Sequence, residues 1–429
     1  MIGRQYNCVK RKELVLLFGT VFILIFYISL GQDNLNTLRK GFIRIYGRES
    51  NVYSFTDQVY IGCDGNFLGF GHQFALLNNV LLQPNSTAFY IPCKHLNDLK
   101  YSFEYGKEGT HLNSWMTRIK DISDSRLNFI KERNTQVLKP DSDYIKYNVT
   151  VGRYDKLVVA VQRYEYANLY HTMTDWYNVF LVATLVKVPM ANISVLLMGN
   201  KAHGHLEATW TSLFGPVLYS QNLSKPTQIP RLAWSIIGYE SPINYHGLDK
   251  LPFLNEFVNF FLRQHSIQST KQLNCESVSI LFLWRRDYIA HSNNPTGSIS
   301  RKIKNEEELI EHFSKLYPRA DVKGVQLDTL SFKEQLEIIT QTDILLSMHG
   351  AGLSHILFLP PHAGVVEMFP TYWLKYGMNH FRTMARWKGL HYQSWQNFNP
   401  SNEFEHSYTY IPPQGLNRYL SHVYNKICP

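Results

Sequence analysis

The chain has no zinc-ligand spacing, no RNA-binding signature and no internal repeat, and its 43 basic residues are not gathered in one tract. Nucleic acid is therefore a poor partner, and a repeat architecture is excluded. No Ala-x-Ala-like pair follows the uncharged apolar run at 14–30; Gly31-Gln32-Asp33 stands there instead. Without a cleavage site the run reads as an uncleaved signal anchor. Cysteine is scarce, with five residues, and Cys8 precedes the anchor. Cys63, Cys93, Cys275 and Cys428 fall beyond it, in a compartment where disulfides persist. Four cysteines allow three pairings. Joining Cys63 to Cys93 and Cys275 to Cys428 would close each half of the chain on itself.

What is present is a globular composition, 45% hydrophobic and 14% aromatic, over 429 residues. That length suits two domains. A formal charge of +9 favours anionic ligands such as nucleotides, or a surface close to a membrane. The run at 14–30 is near the lower limit of ~17 residues for crossing a bilayer. It suits a thin early-secretory membrane. Arg4, Lys10, Arg11 and Lys12 keep residues 1–13 in the cytosol as a short tail, with 14–30 as a transmembrane signal anchor. Residues 31–55 are polar and basic with little periodicity and read as a stem. Sequons begin at Asn85, Asn148, Asn192 and Asn222, all on the luminal side, where glycosylation occurs.

Beyond the stem, runs of strand length alternate with segments of helical spacing. In the first half, 157–161, 194–198 and 232–238 read as strands, and 166–188, 206–214 and 251–263 as helices. Residues 61–72 are glycine-rich and fit a ligand loop or a tight turn. In the second half, 278–284, 322–327, 344–347, 364–369 and 391–395 read as strands, with helices over 305–316, 331–341 and 378–387. Asn305 is a natural N-cap, with acids at 306–308 on the positive end of the helix dipole. The alternation predicts an α/β fold of parallel sheets covered on both faces. Two such runs predict two Rossmann-like domains, 56–270 and 271–429, facing a cleft. A final helix at 416–427 is expected to return over the first domain.

Residues 343–369 organise the second run. A strand leads into His349-Gly350-Ala351-Gly352, whose small residues let the backbone turn sharply and approach a ligand. Helical turns over 353–359 follow, stopped by Pro360 and Pro361. A strand, a small-residue turn and a helix start set backbone N–H groups at the tip of a sheet, where a diphosphate binds. His355 flanks this turn, and Glu367, near the end of the next strand, is placed for a ribose. An ordinary strand-turn-helix with a buried histidine fits the same residues.

Trp284-Arg285-Arg286-Asp287-Tyr288 lies just past a strand end. Adjacent guanidinium groups there neutralise a departing diphosphate, and Arg301, further along the loop, adds a weaker third contact. The alternative is a solvated basic loop with Asp287 as its partner. His171 and Asp175, four apart, share a helix face. That suits a base with an orienting carboxylate, and equally a structural hydrogen bond. Asp141-Ser142-Asp143 matches an Asp-x-Asp metal signature, but it follows Pro140 in a polar region away from any nucleotide turn, so no metal ligand is assigned.

Taken together, several stretches resemble glycosyltransferase family 61, and within it the branch of N-glycan core β-1,2-xylosyltransferases. They are 164–177, 206–214, Arg285 to His291, Arg301 with Asn305 to Glu308, His349 to His355, Trp387 to Tyr392, and Cys428. The resemblance covers roughly 155–428 and implies a two-domain GT-B fold preceded by a transmembrane helix. It also implies a UDP-sugar donor, inversion at the anomeric carbon, and a single-pass type II protein of the Golgi membrane with its catalytic part in the lumen. On this resemblance 56–270 is the acceptor-side domain and 271–429 the nucleotide-sugar-binding domain. His349, Gly350, Ala351 and Gly352 would hold the diphosphate, Arg285 and Arg286 would neutralise it, and Glu367 would bind ribose. Asp175 is the first choice for the base on the acceptor hydroxyl and His171 the second. No metal or other cofactor is required, because arginine, histidine and helix dipoles can carry the leaving-group charge. The implied reaction moves xylose from UDP-xylose to O2 of the core β-mannose of an N-glycan. One rival is transfer of N-acetylglucosamine from UDP-N-acetylglucosamine to a protein or O-glycan. Another is a catalytically silent, membrane-anchored glycan-binding protein, against which both arginines and the intact turn argue.

Overall fold

A computed structural model describes residues 59–62, 65–70, 74–82, 89–90, 156–199, 203–224, 227–236, 238–268, 270–290 and 294–429. The anchor, the stem, Cys63, Cys93, Asn85, Asn148 and Asp141-Ser142-Asp143 lie outside the described residues. Among those described, no helix is long and apolar enough to cross a membrane. The chain divides into two compact units. Of the described residues, one unit holds those up to Arg163 and those within 178–200 and 216–240; the other holds those within 164–177, 201–215 and 241–429.

The first unit is built on a mixed sheet. Its strands are β1 (Val59–Gly62), β2 (Phe67–Phe70), β3 (Phe74–Leu82), β4 (Phe89–Tyr90), β5 (Leu157–Gln162), β6 (Ile193–Met198), β7 (Val217–Tyr219) and β8 (Thr227–Trp234). They lie in the order β1-β2-β3-β8-β5-β6-β7, with β4 on β3. From β8 to β7 the strands run parallel. The expectation of a wholly parallel sheet fails on the other side. There the glycine-rich segment folds back as an antiparallel pair, and β3 is antiparallel to both β2 and β8. Alternate residues Val158 and Ala160, and Leu196 and Met198, share one core with Ile229, Leu232 and Trp234, the period of two that a sheet face requires. The helix α1 (Leu169–Leu185) leaves β5 and contributes its later turns to this unit. Asn192 and Asn222 are both exposed.

The second unit holds β9 (Ser279–Leu283), β10 (Lys302–Ile303), β11 (Asp321–Val325), β12 (Ile344–Met348), β13 (Gly364–Phe369) and β14 (His391–Gln396). Five of these form one parallel sheet in the order β11-β9-β12-β13-β14. Every residue of β9, β12 and β13 is buried, as strands covered on both faces must be. Counted along the chain the order is 2-1-3-4-5. That is a doubly wound sheet whose winding reverses between β9 and β12. The short β10 pairs with Tyr408–Thr409 instead.

The helices of this unit are α2 (Glu207–Phe214), α3 (Leu254–Gln264), α4 (Glu306–Leu316), α5 (Phe332–Ile339), α6 (His380–Lys388) and α7 (Pro413–Ile427). A capping box starts α5: Ser331 Oγ accepts the Glu334 N–H, and the Glu334 carboxylate accepts the Ser331 N–H. Asn305 does not cap α4 as its type suggests. Its amide donates to the Ile411 carbonyl at 2.9 Å and accepts the Ile411 N–H at 3.0 Å, so a distant loop outcompetes the helix end. The first turns of α1 also belong here. Trp176 packs edge-on against Trp210, Phe261 and Phe332.

The final helix corrects a second expectation. Leu416, Leu420, Val423 and Ile427 of α7 are buried in one core with β9, β12 and β13, so α7 covers the sheet of its own unit. At Gly364 an added Cβ would stand 2.0 Å from Val423, which is how closely α7 lies on β13. Cys275 and Cys428 form a disulfide that fastens the end of α7 ahead of β9. Replacing both by serine is expected to lower the stability of this unit by about 2–4 kcal/mol, read as an earlier denaturant midpoint. An unchanged midpoint would mean that packing alone holds α7.

Candidate active site

In a doubly wound sheet, ligands bind at the carboxyl ends of the strands where the winding reverses. Here that point lies between the segment after β9, which carries Arg285 and Arg286, and the segment after β12, which carries His349 to Gly352. A pocket of about 290 Å³ opens there, with Arg285, Arg301, Ser347, Ala351 and Gly352 in its wall alongside Asn168 and Leu169 of the α1 start. After Gly350 the chain enters a 3-10 helix, Ala351–Phe358, tighter than the α-helical turns expected. Leu353 N–H already bonds the Gly350 carbonyl. Pro360 and Pro361 have no N–H with which to extend an α-helical ladder.

Arg285 and Arg301 dominate the pocket. Arg285 Nε donates to the Ser300 carbonyl at 3.1 Å, and its guanidinium lies directly over Gly350, where a Cβ would meet Nη1 at 2.0 Å. Burial, then the like charge of Arg301, lower Arg285 to about 10. Arg301 sits in the left-handed backbone region at φ 62°, costly for a non-glycine residue. Its N–H donates to the Tyr372 hydroxyl, and its guanidinium stacks over Trp373 at 4.4 Å. Its buried Nε has no hydrogen-bond partner, and burial lowers its pKa also. Two guanidinium groups are thus held in mutual repulsion, partly stripped of water, over a small-residue turn. An anion offsets both costs.

Arg286 is committed elsewhere. It pairs with Glu306 through Nε at 2.9 Å and Nη2 at 2.5 Å, leaving a largely exposed side chain at the pocket rim. Asp287 braces the same loop, accepting the Ile299 N–H at 2.9 Å and Lys302 Nζ at 2.8 Å. The hydrogen bond from Lys302 holds its carboxyl below the usual range.

His349 is almost wholly buried. Its Nδ1 meets Glu367 Oε1 at 2.5 Å, and the Tyr392 hydroxyl donates to Glu367 Oε2. Burial and Glu367 push the Tyr392 phenol up. The ribose role expected of Glu367 needs an exposed oxygen, but the side chain is 0% exposed and both oxygens are engaged. It orients His349 instead. His355 is likewise sealed from the pocket: fully buried, with Nδ1 on the Gly352 carbonyl and its ring stacked on Phe332. Burial lowers it to about 4, so it is a neutral core residue bracing the turn from behind.

On α1, Asn168 is the helix cap. Its Oδ1 accepts the N–H groups of Tyr170 and His171 at 2.9 and 3.4 Å. Asp175, the first choice for the base, is 0% exposed. A carboxylate sealed in the interior has no path to a glycan hydroxyl without movement of the helix. His171 is partly exposed, and burial lowers its pKa. Among the described residues no three His, Cys, Asp or Glu side chains gather as a metal site.

Residues 153–366 match the family model Glycosyltransferase 61. The chain carries a glycosyltransferase 61 domain. It is 30% identical over 265 residues to a beta-1,2-xylosyltransferase of Oryza sativa subsp. japonica, covering 55% of this chain and 48% of that one. To a beta-1,2-xylosyltransferase of Arabidopsis thaliana it is 28% identical over 276 residues, 55% of this chain and 51% of the relative. To an EGF domain-specific O-linked N-acetylglucosamine transferase of Drosophila melanogaster it is 30% identical over 168 residues, 39% and 28% of the two chains. The match thus spans about half the length of the plant relatives.

The pocket also draws on residues that the sequence did not single out. Tyr372 and Trp373, just after β13, seat Arg301. Their signal was a run of exposed aromatics, Tyr372, Trp373 and Tyr376, directly after a buried strand. Tyr170 bonds Asn244 and His380, and no spacing connects these three. Tyr372, Trp373 and His380 all fall beyond the matched stretch.

Proposed function

We propose that this family 61 glycosyltransferase takes xylose from UDP-xylose and adds it in β-1,2 linkage to the core mannose of N-glycans. The observation that carries the donor half is the apposed pair Arg285 and Arg301 over the Gly350 turn. The diphosphate sits against them and the backbone of Ala351 and Gly352, with Arg286 at the rim and His349 behind the turn. Glu165 and Asp328, which line the same pocket, take hydroxyls of the ribose or the sugar in place of Glu367. Inversion asks for one base on the acceptor hydroxyl, and the partly buried histidines near the α1 start are groups of the right class. Xylose is favoured by the length of the match to the two plant xylosyltransferases. The same reading carries the GT-B plan, the anchor at 14–30, glycosylation at the four sequons and a luminal site in the Golgi with it.

N-acetylglucosamine transfer to a protein is the second reading, favoured by the identity to the Drosophila transferase. Mass spectrometry of the purified full chain with UDP-xylose, UDP-N-acetylglucosamine and a trimmed N-glycan separates the two. A pentose added from UDP-xylose is expected. Arg285→Ala and Arg301→Ala are each expected to lower transfer by about 10²–10³-fold. A hexosamine on the product would select the second reading. UDP binding unchanged in both variants would remove the diphosphate site.

A further inference from the structure

We propose that His380, through Nε2, takes the proton of the acceptor hydroxyl, and that Tyr170 and Asn244 position it for that task. The inference rests on the transferase reading above. The Tyr170 hydroxyl donates to Asn244 Oδ1 at 2.7 Å. What it presents to His380 Nδ1, 2.9 Å away, is therefore a lone pair. Nδ1 must then carry the ring hydrogen, which leaves the basic lone pair on Nε2. The ring is partly exposed, and its one protein hydrogen bond among the described residues is the one at Nδ1.

The surroundings keep that base neutral and still. The α1 start contributes Tyr170 and His171, the 242–248 segment His246, the turn after β12 His349, and α6 itself Arg382 and Arg386. The His246 ring stands edge-on at 4.5 Å. Burial, then His246, His349 and His171, hold His380 to about 4. Its place on the first turn of α6, at the positive end of the helix dipole, works in the same direction. The segment bearing Asn244 and His246 is fastened from α6. Arg386 Nη2 donates to the carbonyls of His246 and Leu248 at 2.8 and 2.7 Å, and Trp387 Nε1 donates to Leu248 at 2.8 Å. A base oriented by one hydrogen bond, to a tyrosine whose other partner lies on a fastened segment, is what an in-line displacement needs.

In the step, the hydroxyl oxygen bonds to the anomeric carbon as the bond from that carbon to the diphosphate oxygen breaks. The hydroxyl proton passes to Nε2, giving an imidazolium that returns it to solvent after turnover. The electron pair leaves on the diphosphate, where Arg285 and Arg301 meet the charge.

The test compares wild type, His380→Gln, His380→Asn, His171→Gln and Tyr170→Phe as full chains, by transfer kinetics and by calorimetric UDP binding. Both His380 variants are expected to lose about 10²–10⁴-fold in kcat while binding UDP within about threefold of wild type. Retained UDP binding shows that they fold. His171→Gln is expected to lose less than about tenfold. The neutral imidazole is the working form, so wild-type activity falls only as pH drops toward about 4, not about 6.5 as for an ordinary histidine. Tyr170→Phe frees the tautomer, lowers kcat about tenfold and moves that acid limb further down, because the accepting hydroxyl oxygen favours the imidazolium. Near-wild-type kcat in the His380 variants, or a wild-type acid limb near the ordinary value, would overturn the assignment and leave the transferase intact. A wild type that binds UDP but transfers from neither donor ends the transferase reading and this base with it.

Discussion

Gly350→Ala is expected to weaken UDP binding by about 10–10²-fold with less than about 1 kcal/mol lost in stability. The backbone at Gly350 is extended, with φ 170°, so alanine is tolerated there as a residue. What is not tolerated is its methyl group, which would stand 2.0 Å from Arg285 Nη1 and 2.7 Å from its Cζ. The guanidinium is the flexible partner and must give way. One displaced charge-assisted contact to a phosphate is worth about 1.5–3 kcal/mol, and that sets the expected loss. A double-mutant cycle isolates the cause. In an Arg285→Ala background the same glycine change should have almost no further effect on UDP affinity, because nothing is left to displace. An equal loss in both backgrounds would mean that the turn itself, not Arg285, responds to the methyl.

Asp343→Ala should act at the other edge of the same sheet and on stability alone. Asp343 is 0% exposed and stands at the amino end of β12. Its carboxylate accepts Lys271 Nζ at 2.5 Å, the Ser279 N–H at 2.8 Å and His362 Nε2 at 2.7 Å. Its own backbone bonds Ser279 and Gly364. One side chain thus gathers the entries of β9, β12 and β13. Alanine leaves a buried N–H and a cation without their acceptor, a loss of about 3 kcal/mol or more. Denaturant unfolding measures it, and calorimetry of the folded variant should give wild-type UDP affinity, since the pocket lies at the carboxyl ends. A loss under about 1 kcal/mol would show that Lys271 and His362 find water instead.

Much of this was legible in the sequence because the signals were long. Apolar runs at 278–284, 344–347 and 364–369 announced a buried parallel sheet, and the small-residue turn and the arginines after β9 fall at its carboxyl ends. The failures have a common physical origin: a one-dimensional pattern records which face is apolar, not what covers it. The stripe on α7 was real but met β13 and β14 of its own unit. Glycine-rich chain before β3 allowed a turn, and only its pairing with β8 made the first sheet mixed. Glu367 and His355 have types that suit a ligand, and only burial shows them facing inward. Gly350 was read as room for a ligand, whereas the first occupant of that room is Arg285. The weakest of the basic assignments, Arg301, became central because its backbone conformation carries no letter in the sequence.

That conformation has a consequence for the life of the protein between turnovers. A left-handed, non-glycine residue costs roughly 1–2 kcal/mol, and Arg301 adds a buried, unpartnered Nε and a repelling neighbour to it. An anion would relieve the unpartnered Nε and the repulsion, though not the backbone cost, so on the proposed function the nucleotide would work as part of the folded structure as well as its cargo. Whatever binds the native state alone holds it together by mass action. Such an enzyme is at its most fragile in the interval after one nucleotide departs and before the next arrives.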